Sequence, residues 1–123
     1  MIVLDEQLSD PQVNDQFSRW YRGSVISIND LRPHTLVSDD AIATLLRTVT
    51  NPTFVTINYA DFWRVIPPSP AYCVVCLKLA QQQSSQVSSV VRELFNLSQY
   101  RTKSARMGCV ISFSNRVVSD YCL

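Results

Sequence analysis

The sequence predicts an α/β domain in which helices cover both faces of a mainly parallel sheet, giving three layers (α/β/α). Short apolar runs such as residues 1–4 stop abruptly at acids, as strands buried on both faces do. Segments with helical spacing of apolar residues separate these runs, and strand alternating with helix is typical of a parallel sheet. With 123 residues and 46% hydrophobic composition, the chain (1–123) fits one domain with one core.

The elements of the first half follow from local signals. After the first strand, Ser9 or Asp10 can cap a helix that has a proline in its first turn. Residues 24–30 predict a second strand that ends, like the first, in an acid. A helix is expected over 38–49, where a serine can cap the first turn and two acids favour it.

The second half continues the alternation. We expect a third strand over 52–58, a short helical turn over 59–65, a strand over 72–79, a helix near 84–98 and two final strands within 108–121 that turn at Ser114 and Asn115. The Pro-rich stretch 66–71 is expected to be a loop within the domain. Right-handed crossovers would then place the carboxyl ends of the parallel strands along one edge.

Acids collect at that predicted edge. The first three strands each end at or near a carboxylate, and the helix over 38–49 opens with two more: these acids are Asp5, Glu6, Asp30, Asp39, Asp40 and Asp61. Two carboxylates about 4 Å apart repel by about 4 kcal/mol at an effective dielectric of 20, so a shared edge requires a raised pKa or a cation. Mg²⁺ prefers such oxygen ligands and can activate water for attack on a phosphodiester.

Each acid also has a structural explanation. Helix capping accounts for one of Asp39 and Asp40, and a turn-forming role is the expected one for Asp30. A charged carboxylate at a buried strand end is costly without a partner, which favours a functional role for Asp5.

Charge is unevenly distributed along the chain. Residues 1–61 hold eight acids and four bases, whereas 62–123 hold seven bases and two acids. An acidic metal site beside a basic phosphate-binding surface would use this pattern, although solvated charges explain it equally well. Arg101, Lys103 and Arg106 form the candidate phosphate-contacting loop. Three aromatic residues, Trp20, Tyr21 and Trp63, could stack on bases, but helix-spaced aromatics commonly belong to the core.

Other kinds of site find less support. The single histidine, His34, sits in a loop beside a proline and is expected at the surface. A chain with two glycines contains no phosphate-binding glycine-rich loop. A receiver domain would place paired acids similarly, but its fifth-strand Lys-Pro pair is missing.

The four cysteines predict a reducing compartment. Cys73 and Cys76 have the spacing of a zinc motif, yet residues three apart on a strand point to opposite faces. We therefore expect all four cysteines to be buried reduced thiols. No apolar stretch reaches the length of a membrane span and no secretory signal is evident, which favours the cytoplasm and no membrane partner.

Four stretches resemble a known family. The opening "IVLDEQLS" is similar to the Leu-Asp-Glu-Asn-Leu-Ser start of the small PIN-like domain family, which is related to VapC-type toxins. In order along the chain, "VISINDL" resembles its second strand, "SDDAIATLL" its Ser-Asp-Asp/Glu-x-x-Ile helix start and "FVTINYADF" its Thr-x-Asn/Asp-x-x-Asp-Phe motif. These matches cover residues 1–62, and the second half matches only in its strand and helix pattern.

The resemblance implies a PIN-like fold and a metal-dependent nuclease that cleaves RNA, often the toxin of a toxin–antitoxin pair. Its catalytic and Mg²⁺ or Mn²⁺ site would comprise Asp5, Glu6, Asp39 or Asp40, Asn58 and Asp61. Asn58 stands where many members have Asp, so it offers an oxygen without a charge. The expected partners are RNA, an antitoxin protein and a second copy in a homodimer. The alternative is a PIN-like interaction module with weak or no catalysis.

Overall fold

Five parallel strands and one antiparallel strand form a single sheet in the structure, a computed structural model that describes residues 1–31 and 39–123. The order across the sheet is β2-β1-β3-β4-β5-β6, and only β6 runs antiparallel to its neighbour. The strands are β1 (Ile2–Leu4), β2 (Val25–Ser27), β3 (Thr53–Thr56), β4 (Cys73–Leu77), β5 (Cys109–Ser114) and β6 (Val117–Cys122). This architecture confirms the predicted α/β class and the mainly parallel sheet.

Helices pack on both faces of this sheet. They are α1 (Pro11–Ser18), α2 (Ile28–Leu31), α3 (Asp39–Leu46), α4 (Tyr59–Phe62), α5 (Val87–Phe95) and α6 (Lys103–Arg106), with 3-10 turns at Glu6–Leu8, Gln81–Gln86 and Ser98–Tyr100. Successive strand residues point to opposite faces of the sheet and belong to two core clusters. Leu4 packs in one cluster with α1 and α5, and Val3 packs in the other with α3 and α4. The layers are therefore α/β/α.

The connection through α5 is unusual. Both α1, which links β1 to β2, and α5, which links β4 to β5, pack on the same face of the sheet. Because these two connections move in opposite directions across the sheet, they have opposite hands. The connections through α3 and α4 differ from the α1 connection in two ways: they move in the opposite direction across the sheet, and their helices pack on the opposite face. These two reversals cancel, so the three connections have the same hand. The connections therefore do not all share one hand, unlike the uniformly right-handed crossovers expected from the sequence.

Several predicted boundaries also change. The second strand is short, because the chain turns helical at Ile28, where Asp30 Oδ2 accepts a hydrogen bond from the Ser27 amide at 2.9 Å. This contact confirms the turn-forming role predicted for Asp30. Asp10 caps α1 by accepting from the Gln12 amide at 2.9 Å, as one of the two predicted caps. The predicted Ser38 cap and His34 lie outside the described residues.

The cysteines follow the prediction only in part. Cys73 and Cys76 are buried free thiols that belong to the two opposite core clusters, so they do not form a zinc site. Cys109 and Cys122, however, lie opposite each other on β5 and β6 and form a disulfide. The expectation of four reduced thiols was wrong for this pair, because strand pairing across the final hairpin brings together residues 13 apart in the sequence.

Candidate functional site

Asp5 lies at the carboxyl edge of the sheet, directly beside the end of β3. The parallel register pairs Leu4 with Val55, and the Asp5 amide donates to the Val55 carbonyl at 3.0 Å. The Thr56 hydroxyl then donates to Asp5 Oδ2 at 2.6 Å, and the Glu6 amide donates to Oδ1 at 2.8 Å. Both carboxylate oxygens of Asp5 are therefore held in fixed positions.

Burial makes this carboxylate unusual. Asp5 is only 6% exposed. Desolvation raises its pKa, and the negative charges of Glu6 and Asp61 raise it further, while the hydrogen bonds from Thr56 and the Glu6 amide oppose the rise. A cation beside Asp5 would favour its ionised form and offset the cost of its burial.

Asp61 is connected to Asp5 through a chain of hydrogen bonds. The Asn58 amide N–H donates to the Thr56 hydroxyl at 2.9 Å, and the Asn58 side-chain Nδ2 donates to Asp61 Oδ2 at 2.7 Å. Thr56, at the end of β3, thus accepts from one neighbour and donates to Asp5. Asp61 itself is exposed, in the short helix α4 that follows β3. The structure brings Asp5, Asn58 and Asp61 to one edge, as the sequence predicted.

The oxygen-rich donor set of this edge suits a hard divalent ion. Carboxylates and the Asn58 side-chain oxygen are ligands that Mg²⁺ and Mn²⁺ accept, and an ion that keeps several waters needs only one or two carboxylates from the protein. Asp39 and Asp40 begin α3, and their side chains lie outside what the structure describes. The oxygen ligands at this edge therefore fit the Mg²⁺ or Mn²⁺ ion that the family resemblance implies.

The acids do not form a tight cluster. Among residues 1–31 and 41–123, the group of three potential metal ligands within 4.8 Å of one another is Cys109, Asp120 and Cys122. Two of these are joined in the disulfide, so their sulfurs are not available to a metal. A metal at the Asp5 edge would accordingly be held by few direct carboxylates.

The predicted phosphate-contacting loop does not accompany this edge. Helix α6 precedes β5 and lies at the amino edge of the sheet. The pKa of the Met1 amine at this edge is lowered mainly by burial and further by the positive charges of Lys103 and Arg106. Arg106 is 7% exposed and donates to the carbonyls of Tyr100 at 2.9 Å and Arg101 at 3.3 Å. Its guanidinium also lies 3.9 Å from the centre of the Phe95 ring. Arg106 is therefore a structural residue, while Arg101 and Lys103 are exposed.

Sequence reasoning missed two features of the carboxyl edge. Thr56 lies inside the quoted "FVTINYADF" stretch, and its spacing of two residues from Asn58 was the available signal. A cleft of about 460 Å³ opens next to Leu4 between α1 and the end of β2, and it contains the exposed acids Asp10, Asp15 and Asp30. No periodic pattern marks this cleft, because its walls come from separate elements.

The chain has no match among protein-family models, curated proteins or solved structures. Within the described part of the chain, no helix combines the length and the apolar character that a bilayer crossing requires. The PIN-like family thus stays a prediction from the four quoted stretches.

Proposed function

We propose that this protein is a PIN-like, divalent-cation-dependent ribonuclease, with the toxin of a toxin–antitoxin pair as its expected context. The observation that carries the proposal is the hydrogen-bonded chain Asp5–Thr56–Asn58–Asp61 at the carboxyl edge. It fixes a buried carboxylate and connects it to a second, exposed one, where the ends of adjacent parallel strands open into solvent. Ligands of α/β sheets bind at this edge, where the strand order reverses between β1 and β3.

The roles follow from the contacts. Asp5 and Asp61, with Asp39 or Asp40 and the Asn58 oxygen, would hold Mg²⁺ or Mn²⁺, and such an ion polarises a phosphoryl oxygen and lowers the pKa of water. Thr56 and the Glu6 amide orient Asp5, and the Asn58 side chain orients Asp61. Glu6 adds negative charge to the same edge, which favours cation binding.

Metal binding and RNA cleavage test the proposal together. We expect Mg²⁺ or Mn²⁺ to raise the melting temperature, by the equivalent of about 2.7 kcal/mol at a hundred times the dissociation constant. Cleavage of a labelled single-stranded RNA should require the ion and stop with EDTA. The Asp5→Asn variant should lose both effects, whereas Glu93→Gln, a change of an exposed acid on α5, should keep both. Cleavage by Asp5→Asn at the wild-type rate would refute the assignment.

One observation favours the interaction module as a second candidate. The Asn58 side-chain amide donates a hydrogen bond to Asp61. An aspartate at position 58 would instead have added a negative charge that attracts a metal ion. A protein of this class would bind an antitoxin-like protein or a second copy without cleaving RNA. Failure of both ions to change the melting temperature, with a stable homodimer in solution, would support this candidate.

Location completes the proposal. A cytoplasmic protein meets both RNA and an antitoxin. Disulfides persist mainly in oxidising environments, so the Cys109–Cys122 bond speaks against a cytoplasmic location, which would require this pair to be reduced in cells. Labelling of these two cysteines in cells with a thiol reagent tests the compartment directly.

A further inference from the structure

Three aromatic rings form a row that starts next to the candidate site. Tyr59 follows Asn58 directly, its ring centre lies 6.0 Å from that of Trp63, and Trp63 lies 5.2 Å from Tyr121 on β6. We call Tyr59, Trp63 and Tyr121 the aromatic strip. All three side chains are partly exposed, although the core cluster that contains α4 supports them from below.

Two exposed cations lie against this strip. The Lys78 ammonium is 4.9 Å from the centre of the Tyr59 ring, and the Arg64 guanidinium is 5.4 Å from that of Trp63. Neither cation belongs to the phosphate-contacting loop that was predicted from the sequence. Arg64 also has a φ of 61°, a left-handed conformation that is uncommon for a residue with a side chain and that recurs at functional sites.

Hydrogen bonds at the hydroxyl ends hold the outer rings in place. The Tyr121 hydroxyl donates to the Ile66 carbonyl at 2.6 Å, and the Ser112 hydroxyl donates to that of Tyr59 at 3.3 Å. The outer rings are thus positioned before any ligand arrives, which reduces the entropy lost on binding. By contrast, Trp20 donates its indole N–H to Ser88 at 2.8 Å and contacts Phe95 in the core.

We propose that the aromatic strip, with Lys78 and Arg64, binds single-stranded RNA by stacking bases on the rings and pairing the cations with phosphates. Flat rings beside positive charges match the two parts of a nucleotide, and stacking tolerates any base sequence. Paired bases in a duplex are already stacked and cannot reach the rings. This inference rests on the proposed nuclease function, because it places the substrate next to Asn58 and Asp61.

Binding measured without cleavage tests the strip separately from the nuclease. A fluorescein-labelled 12-nucleotide oligouridylate is titrated with the full chain in EDTA, and fluorescence anisotropy reports the dissociation constant at several salt concentrations. Lys78→Gln and Arg64→Gln should each weaken binding and reduce the salt slope by about 0.7 for one lost phosphate contact. The matched variants Arg101→Gln and Lys103→Gln, exposed cations near the opposite edge, should bind as the wild type does.

The rings are tested in parallel. Trp63→Leu should weaken binding by between about fivefold and a hundredfold, the range for loss of one stacked base. Trp20→Phe, which changes an aromatic residue outside the strip, should bind as the wild type does. Circular dichroism confirms folding, and for a Trp63 variant that fails to fold, quenching of Trp63 fluorescence by RNA in a Trp20→Phe chain gives the answer.

Contrary results are clear for each part. The proposal that the aromatic strip binds single-stranded RNA would be overturned by equal affinity for a duplex of the same length. Equal losses of affinity in Lys103→Gln and Lys78→Gln would overturn it as well. Unchanged binding in Lys78→Gln and Arg64→Gln would also overturn it, even if cleavage depends on Asp5. Conversely, strip-dependent binding without any metal-dependent cleavage would refute the nuclease alone.

Discussion

Replacing Thr56 with valine tests whether the candidate site depends on one buried hydroxyl. Valine keeps the shape of the side chain and its preference for a strand but removes the oxygen. The Asp5 carboxylate then loses the donor at 2.6 Å, and the Asn58 amide loses its acceptor at 2.9 Å. A hydrogen bond to a charged group contributes about 1.5–3 kcal/mol and a neutral one about 1 kcal/mol. We therefore expect Thr56→Val to lower the free energy of unfolding by about 2–4 kcal/mol at pH 7.

For a chain of 123 residues this loss corresponds to a fall in melting temperature of roughly 8–15 °C. Urea unfolding followed by tryptophan fluorescence gives the free energy directly. The loss should shrink as the pH falls, because a protonated Asp5 is less costly to bury than an ionised one. Its pKa is already raised in the wild type by burial, and removal of the Thr56 donor raises it further.

Thr53→Val is the matched control. Thr53 lies on the same strand and is equally buried, but its hydroxyl contacts the Cys73 thiol, whose pKa burial raises to about 12. This control should cost about 1 kcal/mol and show no pH dependence between pH 4 and 7. A cost below 0.5 kcal/mol for Thr56→Val, or the same pH profile in both variants, would refute the reasoning.

Three further predictions concern stability. Asp5→Asn should stabilise the metal-free protein at pH 7 and progressively less towards pH 4, because the raised pKa of Asp5 in the folded state makes the wild type gain stability as the pH falls. A difference in the free energy of urea unfolding that stays constant between these pH values would contradict this. Arg106→Gln should cost about 2–4 kcal/mol through its two carbonyl partners, whereas Lys103→Gln should stay within 0.5 kcal/mol in the same assay; equal effects would contradict the burial of Arg106. Cys122→Ser should cost about 3 kcal/mol, the chain-entropy value for a loop of this size, under oxidising conditions and far less in excess thiol reductant; identical losses in both would show that the bond does not form.

Local signals predicted most of the fold. Apolar runs located the buried strands β1, β3 and β4, and the proline at the start of α1 with Asp10 before it located that helix. The final turn was predicted to within one residue: Ser114 ends β5, and Asn115 and Arg116 adopt the left-handed conformations that tight hairpins require. Each of these features depends on residues close in sequence.

Features set by distant contacts were not predictable in the same way. The hand of the α5 connection depends on which face the helix packs against, and its apolar side fits either face in principle. The burial of Arg106 depends on the Phe95 ring and two carbonyls that only the folded chain supplies. The site was partly predictable, since strand ends placed Asp5 and Asp61 at one edge, whereas the aromatic strip required Tyr121 from the far end of the chain.

The last hairpin is closed at both ends, by the turn at Asn115 and Arg116 and by the Cys109–Cys122 bond. A strand held in such a ring cannot slide by one residue, a shift that would turn Asp120 away from its Tyr100 partner. Nor can an oxidised chain lend β6 to a neighbouring molecule. Exchange of β6 alone between copies would therefore require this bond to open first.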